Sequence, residues 1–598
     1  MLQIIRNDVV DDTIPESALR AKVSIRGIFK EIALTNYQKA LIVLATSCQM
    51  LSALCTIMVP LIVQRLIDSY ERGIDYRQII FLAAIFVMQL LFNALGLYLF
   101  ALIGAIATKN YQQGTFNQVL QHRVGWFEEQ ESTNLANKIY NNIDLLRTLF
   151  TNSLPEMISG VLTIVGIAVV LLSLNWALTI VTLFGVLLMV GVFGLLGAPL
   201  ANRIADFQDQ KSLFATHTSK FFRLVKMIKA NAAEKIVQKD DADDMKVLFE
   251  SGRRLARINA LINPLIGAVM MLIMLGIFGY GGYLLNNGSI TNGVLIAFLL
   301  YVIQIMVPLG SFSEFFHGYV GAKTAMNVLM QLRDNSQNER QGGCALPRDS
   351  QSDLVFKDVN FAYDDAKTIT LDDINMVFKP NTMTAIVGPS GAGKTTIVSL
   401  IEQFYAANSG VILSGTSDIT QFSLFSWRQS IGYISQKADL LGSSLRDYLS
   451  FGRKENYSDN QIKDVLGKVG LLEAFNGHLD DKLLEDGNNI SGGQLQRLAI
   501  AQAILKEAGI YIFDESTANL DADSEMKVKQ IMEELAEKHI VIAIAHRLST
   551  IKSADNIYFL EDGTITGSGT HSQLLANHKT QLLANHKTYA RYVAEQML

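Results

Sequence analysis

Charge is almost missing from long parts of this sequence. Residues 40–64, 78–108, 157–202 and 258–313 contain no Asp, Glu, Lys or Arg, so these runs cannot form an ordinary solvated surface. The same absence argues against an ion-coupled transporter, which keeps ionisable residues within its membrane spans. Energy for any transport is therefore expected from elsewhere in the chain. Cysteine is also scarce: Cys48, Cys55 and Cys344 are the three in 598 residues. Their spacing fits neither a metal site nor a disulfide framework, and they read as unpaired thiols. There is no basic surplus. A formal net charge of −5, with no Lys/Arg-rich run, argues against a nucleic-acid partner. The opening stretch MLQIIRNDVVDDTIPES has acids early and no apolar core followed by a cleavage site. It does not read as a cleaved signal peptide, so the first span is expected to direct insertion.

What is present divides into two halves. A spanning helix needs about 20 apolar residues, and two of the four charge-free runs are double that length. Turn signals split them, SLNWA from Ser173 and NNGSITNG from Asn286, so six spans are expected. The polar segments 109–156 and 203–257 are too long for ordinary loops. They read as cytoplasmic extensions of the membrane helices, because the second is rich in Lys and Arg while the other connections are short and nearly neutral. Both termini then lie in the cytoplasm. Gln89, Asn93 and Gln304 are polar exceptions within the spans, read as bridges between neighbouring helices rather than as a cavity lining. Met270, Met271 and Met274 read as packing residues.

From about residue 352 short β-rich runs alternate with helices. In MTAIVGPSGAGKTTIVSLIEQF an apolar strand feeds a glycine loop and then a helix, the context that makes G-x-x-x-x-G-K-[ST] a phosphate loop. The amides of Gly391 and Gly393 would wrap phosphates, Lys394 would neutralise the β and γ oxygens, and Thr395 would hold Mg²⁺. A second strand, GIYIF, ends in Asp514 and Glu515. Asp514 would support the metal through water, and Glu515 would orient and deprotonate the attacking water. A third stretch, ISGGQLQRLAIAQA from Ile490, places Ser491 and two glycines at a helix start, an arrangement suited to an anion.

The phosphate loop, ISGGQLQR, IYIFDE and AIAHR occur in the order and spacing of an ABC ATPase, and the preceding six spans with two long extensions resemble a bacterial ABC exporter half-transporter. The resemblance covers roughly residues 20–598. It implies an all-α six-helix transmembrane domain followed by an α/β ATPase domain, with a cytoplasmic segment over 1–37, the membrane domain over 38–330, a linker over 331–351 and the nucleotide-binding domain over 352–598. It implies ATP and Mg²⁺ as cofactors, held by Gly388, Pro389, Ser390, Gly391, Ala392, Gly393, Lys394, Thr395 and Thr396. Tyr363 would stack on adenine, Gln436 would sense the metal and the membrane domain, and His546 would contact the γ-phosphate. Ser491, Gly492, Gly493 and Gln494 would bind the γ-phosphate held by another subunit, with Asp521 between the two ATPase domains. One chain carries one loop and one signature, so the resemblance implies an obligate dimer, a homodimer or a heterodimer with a second half-transporter.

Some positions depart from the family pattern. DKLLEDG stands at 481–487 where exporters carry T-E-V-G-x-x-G, Gln502 stands where Arg is common, and Ser516 where Ala is common. The octapeptide QLLANHKT occurs at 573–580 and again at 581–588, read as a neutral duplication. LRAKVSIRGIFKEIA from Leu19 reads as an interfacial elbow helix. The leading expectation is ATP-driven export of a hydrophobic or amphipathic substrate (drug, lipid or peptide) from the cytoplasmic membrane of a bacterium, with membrane lipid around the spans. The alternatives are an importer of exporter-like layout, for example for iron chelates, and an ATP-gated channel or regulatory module.

Overall fold

The computed structural model describes residues 36–70, 76–130, 132–346, 352–363, 369–436, 438, 440, 444–452, 457–475, 478–483, 490–514, 522–545, 547–576 and 589–595. The elbow segment from Leu19, Glu515, Ser516, Asp521, His546, most of DKLLEDG and all but the first residues of the octapeptide pair lie outside them. Chain contacts divide the protein into two units. One comprises residues up to Val119 together with Thr133–Asp334, and the other comprises Leu120–Ser132 and the chain from Asn335 onward.

Helices come first: α1 (Asn36–Ser69), α2 (Tyr76–Val119), the short α3 (Val124–Glu128), α4 (Ser132–Thr148), α5 (Leu154–Leu174), α6 (Trp176–Arg223), the short α7 (Val225–Ala230), α8 (Glu234–Asn286) and α9 (Asn292–Leu332). A π-helical turn at Leu149–Ser153 joins α4 to α5. Six of these segments, among the described residues, are long and apolar enough to cross a membrane. The double-length runs break where the turn signals stand. Asn175 leaves helical geometry and its Oδ1 accepts from Leu178 N at 3.0 Å, capping α6. Thr291 caps α9 the same way through Val294 N. Asp68, at the end of α1, accepts from Thr291 Oγ1 and Gly293 N, so two helix ends share one carboxylate.

Helices α2 and α8 contain 44 and 53 residues. At 1.5 Å per residue they are about 66 and 80 Å long, well beyond a hydrocarbon core of ~30 Å. Much of each long polar segment thus continues a spanning helix, with the short α3 standing between α2 and α4 and the short α7 between α6 and α8. Small residues let helices approach closely: a Cβ at Gly185 in α6 would lie 2.1 Å from Ile273 Cγ1 in α8. The polar exceptions behave differently from one another. Asn93 is exposed, and the Gln304 side-chain oxygen is buried without a hydrogen-bond partner among the described residues. The buried Gln49 of α1, which sequence reading passed over, packs against Gly96 of α2. All three cysteines are free.

Among its described residues the second unit contains two sheets. Strands β1 (Leu354–Phe361), β2 (Leu371–Phe378), β4 (Ser409–Ser414) and β5 (Ser417–Asp418) form an antiparallel sheet in the order β2-β1-β4-β5. Strands β3 (Thr382–Val387), β6 (Ile431–Ile434), β7 (Ile510–Asp514), β8 (Ile540–Ile544), β9 (Asn556–Glu561) and β10 (Thr564–Gly569) form the other, in the order β10-β9-β3-β8-β7-β6. All its pairs are parallel except β9 with β10. Period-2 alternation explains why β7 and β8 read as unbroken apolar runs. Tyr511, Phe513, Val541 and Ala543 enter one core, while Ile510, Ile512, Ile540, Ile542 and Ile544 enter the other, shared with β1 and β2. Helices α10 (Lys394–Ile401), α11 (Leu424–Gln429), α12 (Leu445–Leu449), α13 (Asp459–Lys468), α14 (Gly492–Leu505), α15 (Ala522–Ala536), α16 (Leu548–Ser553), α17 (His571–Ala576) and α18 (Tyr589–Glu595) complete the α/β unit.

Candidate functional site

Parallel strands leave their C-terminal ends along one edge, the usual place for ligands in such sheets. In register, Ile386 of β3 pairs with Ile544 of β8, and Ile544 pairs with Asp514 of β7. The loop after β3 and the carboxylate ending β7 therefore stand about two strand spacings apart, roughly 10 Å.

The loop from Gly388 to Gly393 needs its glycines. A Cβ at Gly388 would lie 2.0 Å from the Leu560 carbonyl oxygen, and Gly393 caps α10 at φ +99°, a conformation that side chains resist. Lys394 begins the helix and is buried, and its Nζ donates to the carbonyl oxygens of Gly388 and Pro389 at 2.9 Å each. The cation is held inside the loop that a phosphate would enter. Thr395 is exposed beside it. Thr396 points elsewhere and lies 3.1 Å from the Tyr363 hydroxyl, which ties that ring to the first turn of α10. Tyr363 also meets Phe361 and Tyr405 edge to face.

Asp514 is buried, and the Tyr433 hydroxyl donates to its Oδ2 at 3.3 Å. Burial, with Asp514 adding to it, holds that phenol well above its usual range, so it stays a donor. The residues present fit magnesium-bound ATP: a helix N-terminus and a lysine suit phosphates, and the Asp514 carboxylate and Thr395 hydroxyl are the hard oxygen donors that Mg²⁺ takes. Gln436 lies two residues beyond β6 and is exposed. Ala545 N donates to Ile386 O at 3.2 Å, which brings the chain just before residue 546 beside the end of β3.

The signature stretch is organised by its own cap. Ser491 Oγ accepts from Gln494 N at 3.2 Å, and Gln494 Oε1 accepts from Ser491 N at 2.9 Å, a reciprocal capping box. The box fixes the start of α14, with Ser491 and Gly492 exposed at its tip. Gln496, which sequence reading did not single out, donates from α14 to Ser435 O at 3.2 Å and so links this helix to the residue before Gln436. Gln502 donates to Tyr448 O at 2.8 Å and serves α12 rather than the loop.

Two further features escaped the sequence. Residues Leu120–Ser132, assigned there to an extension of the membrane helices, pack as part of the ATPase unit. His122 is buried 2.7 Å from Asn338 Oδ1, Glu339 N donates to Gln121 O, and Tyr405 donates to Glu128 beside Gly125. Second, Glu402 at the end of α10 is buried, and desolvation pushes its carboxyl up to about 7 despite Lys506 and Arg428 nearby. Lys506 Nζ donates to the carbonyl oxygens of Arg428 and Ile431 at 2.6 Å.

Two families match: ABC transporter transmembrane region over residues 42–309, and ABC transporter over residues 371–518. A multidrug resistance ABC transporter ATP-binding and permease protein of Lactococcus lactis subsp. cremoris is 31% identical over 581 residues, 96% of each chain. An ATP-dependent lipid A-core flippase of Salmonella typhimurium is 26% identical over 466 residues, 77% of this chain and 80% of that one. A solved structure of a bacterial Atm1-family ABC exporter with ATP bound superposes with a TM-score of 0.79 at 22% identity, covering 94% of this chain and 99% of that one.

Proposed function

This chain belongs to the ABC transporter family, with a transmembrane region fused to an ATPase domain, and from that premise we propose that it uses ATP hydrolysis to export a hydrophobic or amphipathic substrate across the cytoplasmic membrane of a bacterium. The observation that carries the reading is the pairing, in one chain, of six long apolar helices among the described residues with a phosphate loop that faces a buried Asp514 along the same sheet edge. The spans offer no intramembrane carboxylate or lysine relay, so the ATPase unit is the source of work.

The membrane domain takes residues 38–330, apart from the 120–132 stretch that packs with the ATPase unit, the linker 331–351 and the nucleotide-binding domain 352–598, with both termini cytoplasmic. The loop Gly388–Thr396 and Lys394 bind the phosphates, Tyr363 lies against the adenine, and Thr395 and Asp514 hold magnesium with Gln436 beside it. Magnesium-bound ATP supplies the phosphoryl group whose loss resets the cycle. Glu515 accepts a proton from the attacking water and His546 orients the γ-phosphate. Ser491, Gly492, Gly493 and Gln494 serve the nucleotide of a second chain, with Asp521 at the boundary, so the working unit is a dimer, here a homodimer. ATP then favours closed ATPase domains and hydrolysis favours separated ones, a population shift that alternates access across the spans. Relatives named for multidrug resistance and for lipid A-core flipping point to lipophilic cargo such as drugs or lipids, with apolar peptides in the same class.

The test is transport in proteoliposomes with the ATPase units outside. MgATP should drive a lipophilic bisbenzimide dye, or a fluorescent lipid, toward the lumen. Movement in the reverse direction, or ATP binding with no vectorial movement of either probe, overturns the reading. In a variant free of native cysteines, a single cysteine within 203–257 should be labelled only from the cytoplasm and one at Asn287 only from outside.

A further inference from the structure

Strands β6 and β7 are parallel neighbours, and Tyr433 pairs in register with Ile512. Asp514 lies two residues beyond Ile512, on the same face of the sheet, because side chains alternate with period two. A tyrosine is long enough to reach that diagonal position, and a shorter residue is not. The reach is used: the hydroxyl donates to Asp514 Oδ2 at 3.3 Å. With Phe404, Phe451 and Lys506 the ring lines a surface cavity of about 320 Å³, while partly buried against the core of the sheet.

We propose that Tyr433 is a positioning residue for ATP hydrolysis, holding Oδ2 of Asp514 and so fixing the orientation in which this carboxylate faces the metal and its waters. The proposal rests on the reading that Asp514 supports magnesium. A carboxylate can rotate about its last bond, and both oxygens compete for a cation and its waters. A donor on Oδ2 restricts that rotation. Outer-shell donors that orient the groups of a metal site change affinity by about 10- to 100-fold when lost. At 3.3 Å the effect belongs at the lower end of that range.

A second role is open to the same hydrogen bond, since a buried carboxylate needs partners whatever it binds. The two roles separate by experiment, because a purely structural donor affects folding and nucleotide binding alike, whereas a positioning donor affects the metal step alone. Tyr433→Phe keeps the ring and removes only the hydroxyl.

The experiment uses the full-length protein with AMP-PNP, titrated with Mn²⁺ and followed by electron paramagnetic resonance, beside AMP-PNP binding in EDTA. Tyr433→Phe should raise the Mn²⁺ dissociation constant about tenfold while metal-free AMP-PNP affinity stays within about twofold of the parent protein. Asp514→Asn should lose metal affinity more severely. If Asp514→Asn loses the metal and Tyr433→Phe stays within twofold, the proposal is overturned and the Asp514 reading stands. If Asp514→Asn binds Mn²⁺ as the parent does, the Asp514 reading falls and the proposal with it. Loss of metal-free AMP-PNP binding in Tyr433→Phe assigns the hydroxyl a structural role and also overturns the proposal.

Discussion

Glu339 and Arg428 meet through two parallel hydrogen bonds, Nη2 to Oε1 at 2.8 Å and Nη1 to Oε2 at 2.9 Å. The same guanidinium donates to the carbonyl oxygens of Glu402 and Gln403 at 3.0 Å each, and lies over the Phe404 ring at 5.1 Å. One side chain therefore binds the segment after α9 to the end of α10, close behind the phosphate loop. Both partners keep about a quarter of their side-chain exposure, so water screens part of the Coulomb attraction.

Removing Arg428 should cost more than removing Glu339, because arginine leaves two carbonyl acceptors and a carboxylate unpaired while glutamate leaves only one group. Arg428→Ala is expected to lower stability by about 2–4 kcal/mol, and Glu339→Ala by about 1–2 kcal/mol. Denaturant midpoints of the full chain measure both. Equal losses for the two variants would place the energy in the ion pair alone.

Glu402 makes the stability pH-dependent in a defined direction. Its carboxyl titrates near 7 in the folded protein, raised by burial from 4.5, so between these values the native state holds a proton that the unfolded chain has released. Stability is then highest at or below about pH 4.5 as far as this group is concerned, falls as pH rises toward 7 and levels off above it. The total is on the order of 3 kcal/mol. Glu402→Gln cannot ionise and should flatten this part of the profile between pH 5 and 8. Thermal midpoints across that range provide the check, and parallel profiles for the two proteins would remove Glu402 from the account.

Much of the ATPase edge was legible because its signals are local. An apolar strand, a glycine loop and a helix follow one another within the stretch from Thr382 to Ile401, and Asn175 and Thr291 are caps that announce their own helix ends. What stayed hidden depends on residues distant in sequence. Nothing around Tyr433 indicates that Asp514 lies diagonally across the next strand. Nothing in Leu120–Ser132 announces that it pairs with Gln337, Asn338 and Glu339. The Gln304 case ran the other way: a polar side chain in a span suggested a bridge, and its buried oxygen has no partner among the described residues.

Lys394 and Glu515 should fail in different ways. Lys394→Ala strips the cation from the loop and is expected to weaken ATP binding by roughly tenfold or more, since charge-assisted hydrogen bonds to phosphate are lost. Glu515→Gln keeps the shape and the hydrogen-bonding capacity but cannot accept the proton. Turnover should fall by about 10²–10⁴-fold with ATP affinity close to that of the parent. Phosphate release and equilibrium nucleotide binding separate the two, and substantial hydrolysis by Glu515→Gln would remove it as the base.

The signature stretch provides the last test, because its capping box orders the helix tip without any nucleotide from its own chain. Ser491 Oγ accepts from Gln494 N, and Ser491 and Gly492 remain exposed, so the tip is available to a second chain. Combine Lys394→Ala chains with Ser491→Arg chains in disulfide-linked dimers of defined composition. If each nucleotide lies between the loop of one chain and the signature of the other, one site in the mixed dimer carries both lesions and the other carries neither. Sites built within a single chain would each carry one lesion. The mixed dimer should therefore trap one nucleotide with ATP and vanadate, while both parental homodimers trap almost none. Ser491→Arg also removes a helix cap worth about 1 kcal/mol, so Ser491→Asn, which retains a capping oxygen, separates loss of the helix start from loss of the composite site. A Ser491→Arg homodimer that traps almost nothing, beside a Ser491→Asn homodimer that behaves as the parent, fits blocked phosphate contact across two chains. A mixed dimer that traps no nucleotide while the Ser491→Asn homodimer traps normally would count against sites shared between chains.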